Sequence, residues 1–352
     1  MMKKLLLGLG ALIVVLAGFV LKTLADAGQF KQLAPHFAGR CTPVPGMPGA
    51  EDITFHPTLG HAYVSSDDRR ATQTGRPVAG GIYRYDPTGS APPVLLTSAF
   101  SRDFHPHGLS LFVAPDGTET LYVINHTETG TNQIERFEVG ADGMLVHRRT
   151  LRDAALVSPN DLVAVDAERF YVTNDHGSPP GTGQAMEDYL QLARGNVLYF
   201  DGERFREVIR GTAYANGINR SADGLTVYLA QSVGRSLSVY TRDVASGALT
   251  ERRKLPLDTG PDNIELDARG HLWVGSHPKL LGFAAHAQDV SGKTHAPAQV
   301  LRLKPSGDSL EVEEVFLDDG KQISGVAVAA VSGNRMLLGP VFDKDLLSCE
   351  VP

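Results

Sequence analysis

The segment Ser158–His176, SPNDLVAVDAERFYVTNDH, contains a complete structural unit. An adjacent Asn160-Asp161 pair opens it, an apolar strand follows, the chain turns at Asp166–Arg169, and a second strand returns as Phe170–Thr173. The unit closes on a second polar cluster, Asn174-Asp175-His176. Two short apolar runs joined by a polar turn specify a β-hairpin. The same unit recurs as Glu51–Ser66, His107–His126, Asn216–Ser232, Asp262–His277 and Ser324–Val341. The second strands align at Tyr63-Val64, Tyr122-Val123, Tyr171-Val172, Tyr228-Leu229, Trp273-Val274 and Leu337-Leu338, at intervals of about 45–64 residues. Turns at Asp116-Gly117, Asp223-Gly224, Gly270 and Gly333 supply the glycine that tight hairpins need.

Further strands are expected between the copies, at Gly81–Tyr85, Ile134–Val139, Val197–Phe200, Leu237–Thr241, Val300–Leu303 and Glu311–Phe316. Each repeat then holds about four strands, the content of a β-propeller blade. The sequence therefore predicts an all-β protein, a six-bladed β-propeller over residues 39–352, preceded by an N-terminal hydrophobic helix. No Pro/Ser-rich or charged linker divides the repeats into two domains. One insertion, from His176 to Asn196, is expected to form a short amphipathic helix at Ala185–Leu192 over one rim. The tyrosines and Trp273 of the second strands read as packing between blades.

The polar pairs carry the chemistry. Glu51-Asp52, Asn160-Asp161, Asn216-Gly217 and Asp262-Asn263 each open a buried strand. Carboxylate and amide oxygens gathered in this way suit a hard cation such as Ca²⁺. Any one pair alone would be read as a turn. Four pairs at a repeating interval read as a ligand shell.

Composition narrows the partners. A net charge of −7 with no basic block beyond Lys3-Lys4 and short Arg pairs argues against nucleic acid. Lys3-Lys4 precede an uncharged run, Leu5–Leu21, at the lower limit for crossing a bilayer. Residues 1–27 read as a targeting segment, and both a cleaved signal ending near Ala25-Asp26-Ala27 and an uncleaved membrane anchor fit it. Without Lys3, Lys4, Lys22 and Asp26 the charge becomes −9. Either form places the domain outside the cytoplasm, secreted, periplasmic or membrane-anchored, facing an oxidising compartment. There the only two cysteines, Cys41 and Cys349, are expected to bridge where the ring closes, two free thiols being the alternative.

The residues resemble the paraoxonases, the arylesterase/lactonase family. The resemblance rests on Glu51-Asp52, Phe104-His105-Pro106-His107-Gly108-Leu109-Ser110, Tyr122-Val123-Ile124-Asn125-His126 and Asn160-Asp161. It continues through Phe170-Tyr171-Val172-Thr173-Asn174-Asp175-His176, Ala215-Asn216-Gly217-Ile218-Asn219, Asp262-Asn263 and Leu272-Trp273-Val274-Gly275-Ser276-His277-Pro278. The terminal cysteines match the family's ring-closing disulfide. The resemblance implies two calcium ions per chain in a central tunnel. A catalytic ion would be held by Glu51, Asn160, Asn216, Asp262 and Asn263, and a structural ion by Asp52, Asp161 and the backbone carbonyl of Leu109. It implies hydrolysis of small-molecule lactones and aryl esters, with calcium polarising the carbonyl and stabilising the oxyanion. His107, oriented by His126, would activate water, with Glu51 or Asp262 as the alternative base.

His176 and His277 are substrate-facing candidates, although a lone histidine at a strand end more often caps a turn. His105 is open between a tunnel residue and a structural one. The segment Asp67–Gly80 stands where the family has its active-site loop, yet it is strongly polar and lacks an aromatic residue. Tyr214, Phe283 and Val341 are the candidates for apolar walls in its place. Two other functions fit the pattern: a sugar lactonase of the regucalcin/gluconolactonase type, and a membrane-tethered propeller that only binds a partner. The histidine pair and the second carboxylate pair fit the sugar lactonases less well.

Overall fold

The computed structural model describes residues 2–101, 103–306 and 309–351. Helix α1 (Met2–Asp26) leads into two short strands, β1 (His36–Phe37) and β2 (Arg40–Val44). The first blade contains β3 (Asp52–Phe55), β4 (Ala62–Ser66), the short helix α2 (Arg69–Gln73), β5 (Gly81–Tyr85) and β6 (Val94–Leu95). Blade two is β7 (Pro106–Val113), β8 (Glu119–His126), β9 (Asn132–Val139) and β10 (Leu145–Leu151). Blade three is β11 (Pro159–Ala164), β12 (Phe170–Asn174), helix α3 (Thr182–Tyr189), β13 (Gly195–Phe200) and β14 (Phe205–Thr212). Blade four is β15 (Ala215–Arg220), β16 (Thr226–Gln231), β17 (Ser236–Arg242) and β18 (Leu249–Pro256). Blade five is β19 (Gly260–Leu266), β20 (Leu272–His277), helix α4 (Leu280–Gln288), β21 (Ala298–Ser306) and β22 (Ser309–Asp318). Blade six is β23 (Val326–Ser332), β24 (Arg335–Pro340) and β25 (Leu346–Glu350).

Every blade is an antiparallel meander, and the six repeats read from the sequence are the two inner strands of the six blades. β2 joins β25 as the fourth strand of the last blade, so one end of the chain completes the sheet begun by the other. Cys41 and Cys349 are direct partners in that pairing and form the disulfide expected from the sequence. β1 adds a fifth strand to blade five, so the chain enters the sheets at His36.

A sheet buries two faces only if something covers both, and here each blade is covered by its neighbours. Tyr63, Leu121, Val123 and Phe137 pack between blades one and two. Tyr122, Phe170 and Phe200 pack between two and three, and Tyr171, Tyr199 and Leu229 between three and four. Tyr228 and Val274 fill the next interface, Trp273 and Phe316 the one after, and Ile53, Val64 and Leu337 join blade six to blade one. The aromatic series of the second strands is thus core, as read. Burial of such side chains contributes about 1.5–3 kcal/mol each, and the contribution is spread around the ring.

The connections from second to third strand all emerge on one face, the face on which the inner strands begin. α2, α3 and α4 therefore cover a single rim. The end of α1 docks on this rim too. Asp26 Oδ1 lies 3.0 Å from an Arg235 guanidinium nitrogen, and the Leu280 amide donates to the Ala27 carbonyl at 3.0 Å. The rest of α1 is apolar, exposed, and long enough to cross a membrane.

Candidate active site

A regular strand sends successive side chains to opposite faces, so two adjacent polar residues cannot both face a central tunnel. The inner strands overcome this by bulging. The pairing between first and second strands shifts register between Pro106 and Leu109, Pro159 and Leu162, Ala215 and Ile218, and Pro261 and Ile264. His107-Gly108, Asn160-Asp161, Asn216-Gly217 and Asp262-Asn263 sit inside these shifts, where a bulge re-aims side chains. Glycine is required at two of the positions because the neighbouring blade comes so close. A Cβ on Gly217 would collide with the Asp262 carbonyl oxygen and lie 2.7 Å from Asn263 Cα. On Gly108 it would lie 2.6 Å from the Asn160 carbonyl oxygen.

The result is a set of buried oxygens at the heads of the inner strands. Glu51, Asp52, Asn160, Asp161, Asn216, Asp262 and Asn263 are each no more than 5 % exposed. Their amide groups are oriented by donated hydrogen bonds. Asn263 Nδ2 donates to Glu51 Oε1 at 2.9 Å and to the Glu51 carbonyl at 3.1 Å. Asn216 Nδ2 donates to Ser232 Oγ at 2.9 Å, and Asn160 Nδ2 to Asp175 Oδ2 at 3.2 Å. Each amide therefore turns its oxygen the other way. Asn160 Oδ1, Asn216 Oδ1, Asn263 Oδ1 and Glu51 Oε2 are all buried without a hydrogen-bond partner. Buried polar atoms are almost always satisfied, and four orphaned acceptors with no donor among them suit a cation. Asp262 Oδ2 accepts from His277 Nε2 at 2.7 Å, and Phe283 of α4 stacks on that imidazole at 3.8 Å between centroids.

The second carboxylate pair is built differently. Asp52 accepts from its neighbour Ile53 and, across to blade two, from the Leu109 amide at 2.7 Å. Asp161 accepts from Leu162 and, across to blade four, from the Ile218 amide at 2.7 Å. Burial, opposed by those backbone bonds, pushes Asp52 up to about 7. Burial and the Asp52 charge hold Asp161 well above the carboxylate range. Burial followed by the Asp262 charge does the same to Glu51. The buried carboxylates Glu51, Asp52, Asp161 and Asp262 repel one another, and a divalent ion would remove that repulsion.

His107 and His126 meet edge to face, 5.0 Å between ring centroids. His126 is fixed by Asn132, Nδ1 to Oδ1 2.8 Å. His107 Nε2 lies 3.6 Å from Glu51 Oε1, and its Nδ1 accepts from the Arg69 guanidinium at 3.3 Å. Burial, Arg69 and His126 hold His107 well below the usual imidazole range, so it is neutral. The two histidines open onto a cavity of about 690 Å³, walled by Leu156, Val157, Pro179, Pro180 and Gln184.

Tyr214, His176, His277, Phe283 and Val341 do not line that cavity; they lie on blades three to six. Tyr214 holds a left-handed backbone (φ 61°) and meets His176 at 4.8 Å between rings. His176 is clamped by Asp175 Oδ1 at 2.7 Å and Asp188 Oδ1 at 3.0 Å. Although burial opposes its charge, those bonds carry its pKa up to about 10. The Val341 carbonyl accepts from Arg69.

A family profile described as Arylesterase matches residues 85–351. This chain belongs to the arylesterase family. It is similar to serum paraoxonase/arylesterase 1 of Rattus norvegicus, 31% identical over 90% of each chain, and of Homo sapiens, 32% identical over 91% of each. As an arylesterase it is an enzyme, a hydrolase of the esterase/lactonase class, and not a bare binding module. Solved structures share the arylesterase's fold at low identity. A putative gluconolactonase superposes with TM-score 0.54 at 13% identity, covering 89% of this chain and 92% of that one. A calcium-binding regucalcin of Agrobacterium tumefaciens gives 0.53 at 15%, covering 90% and 96%.

Arg69 is the residue the sequence reading missed. It lies in the polar Asp67–Gly80 segment, where no spacing marks it. Its position after a second strand, on the rim shared by every such connection, was the available signal. Asn132, Pro179, Pro180 and Gln184 were missed for the same reason.

Proposed function

We propose that this arylesterase hydrolyses lactones and aryl esters with calcium held by Glu51, Asn160, Asn216, Asp262 and Asn263, and with a second calcium beside Asp52, Asp161 and the Leu109 carbonyl. The observation that carries the reading is the set of four buried oxygens, Glu51 Oε2, Asn160 Oδ1, Asn216 Oδ1 and Asn263 Oδ1, left without partners. Calcium in such a site polarises an ester carbonyl and stabilises negative charge on its oxygen. The apolar walls Leu156, Val157, Pro179 and Pro180 bind the body of the substrate, in a volume suited to a small organic molecule.

His107 is neutral at pH 7 and can take a proton from water. In the arrangement seen, Arg69 donates to Nδ1, so Nδ1 is free only when the guanidinium withdraws. That contact favours Glu51 as a second reading for the base. The disulfide and the exposed apolar helix support an exported enzyme, tethered or released.

A panel of aliphatic lactones, aryl esters and aldonolactones tests the substrate class. Turnover of the first two is expected. Turnover of aldonolactones alone would replace this reading with the sugar-lactonase one. Ion counting on purified protein is expected to give two calcium ions per chain, and none would remove the proposal.

A further inference from the structure

Outside the tunnel, on the same rim, a second set of donors converges between blades one and two. Asp103 and His105 precede β7, and Glu128 lies in the turn after β8. One ligand atom from each lies within 4.8 Å of the other two. The backbone brings them together: the Glu128 amide donates to Asp103 Oδ1 at 2.7 Å, and the His105 amide donates to Asn125 Oδ1 at 2.9 Å.

His105 decides what this cluster is for. It is only 5 % exposed, and its Nδ1 is held by Asp67 Oδ1 at 2.9 Å. Its Nε2 is buried without a hydrogen-bond partner, 3.7 Å from Glu128 Oε1. The Asp67 hydrogen bond, against burial, and the Glu128 and Asp103 charges raise the His105 pKa, so without an ion Nε2 carries a proton toward Glu128. No hydrogen bond fills that gap, and a divalent cation can take the place of the proton between the same groups. A carboxylate behind the far nitrogen of an imidazole is also the arrangement that fixes the tautomer and orientation of a metal-ligating histidine.

We propose that Asp103, His105 and Glu128 form a third cation site, distinct from the tunnel and selective for a zinc-class divalent ion. Calcium takes oxygen ligands, whereas one imidazole nitrogen with two carboxylate oxygens suits zinc and its neighbours. Two carboxylates balance the charge of the ion. Glu128 is half exposed, so its side chain can close on the ion while water completes the shell. The site borders a cavity of about 430 Å³ lined by Asp67, Arg69, His105, His126 and Glu128. Asp67 is two residues from Arg69, which reaches His107, so an ion here braces the loop at the tunnel mouth.

The test uses the full chain in calcium excess, so that the tunnel is saturated, titrated with zinc calorimetrically and with cobalt as an absorbing probe. One saturable equivalent is expected, with cobalt bands that zinc abolishes. His105→Asn should lose this binding, and Asp67→Asn should weaken it about 10–100-fold, the effect typical of removing a histidine's supporting carboxylate. Asp103→Asn/Glu128→Gln changes only rim side chains, so it reports on the site even if His105→Asn fails to fold, and it should lose binding too. His107→Gln should bind zinc normally. Wild-type protein binding zinc no more tightly than the Asp103→Asn/Glu128→Gln variant would show that the cluster is an ion-paired histidine only. Binding lost in His107→Gln instead would place the ion at the histidine pair. Either result overturns the proposal.

Discussion

The Asn263 amide donates twice to Glu51 through its nitrogen, and its oxygen, the proposed calcium ligand, is buried without a hydrogen-bond partner. Asn263→Ala should therefore abolish hydrolysis of every substrate class and lower calcium affinity, measured by titration. Asp262→Ala should do the same and also strand the buried His277 ring. His107→Gln removes a proton acceptor and leaves the buried oxygens untouched. It should fold, keep calcium, and lose about 10²–10⁴-fold in lactone turnover, the range of a general base. Near wild-type turnover would transfer the role to Glu51. His176 makes a different prediction. Its folded pKa of about 10 exceeds its unfolded value near 6.5. Its contribution to stability is thus complete below about pH 6.5 and lost as pH rises toward 10. The difference in melting temperature between wild type and His176→Asn should narrow across that window, and a constant difference would show that the imidazole stays neutral. At this scale the buried polar pairs proposed as ligands were legible because each pair opens a repeat. Arg69 and the Asp103–His105–Glu128 cluster were not, because they lie in loops outside the strand repeat.

The element that shapes the site is the bulge at the head of four inner strands, β7, β11, β15 and β19, while β3 presents Glu51-Asp52 in unbroken register. Gly217→Ala tests it directly, since the new methyl meets the backbone of Asp262 and Asn263 and cannot be relieved by a side-chain rotation. A loss of about 1–3 kcal/mol is expected from such overpacking, read by denaturant unfolding, together with weakened calcium binding. Unchanged calcium affinity would mean that the bulge does not set the ligand geometry. Hairpins were readable from sequence because inner strands are buried on both faces and run apolar. Among the fourth strands Glu311–Phe316 was read, within β22, but β10, β14 and β18 were not: they face solvent and carry Arg149, Arg206 and Arg253, so neither period nor hydrophobicity marks them. The helix expected at Ala185–Leu192 forms three residues earlier, at Thr182–Tyr189. α4, rich in Leu and Ala, was not recognised as a helix because a short apolar run does not distinguish helix from strand.

Ring closure is the property of the whole molecule. β2 and β25 join the two ends of the chain, and the disulfide makes that join covalent across a sequence separation of 308 residues. Chain entropy sets an upper limit of about 5–6 kcal/mol for such a link. Cys349→Ser should lower the denaturant midpoint with little change in slope, and an unaltered midpoint would show that β-pairing alone closes the ring. α1 leaves the rim that carries the tunnel mouth, so a membrane holding it would lie on the substrate side. The central claim is that one set of buried oxygens holds the calcium on which hydrolysis depends. It is tested most directly by assaying lactone and aryl-ester turnover of the full chain before chelation, after mild chelation that leaves the circular dichroism spectrum intact, and after calcium is restored. The account predicts loss of both activities and their return with calcium. Folded, calcium-free protein that still hydrolyses both substrates at the original rate would contradict it.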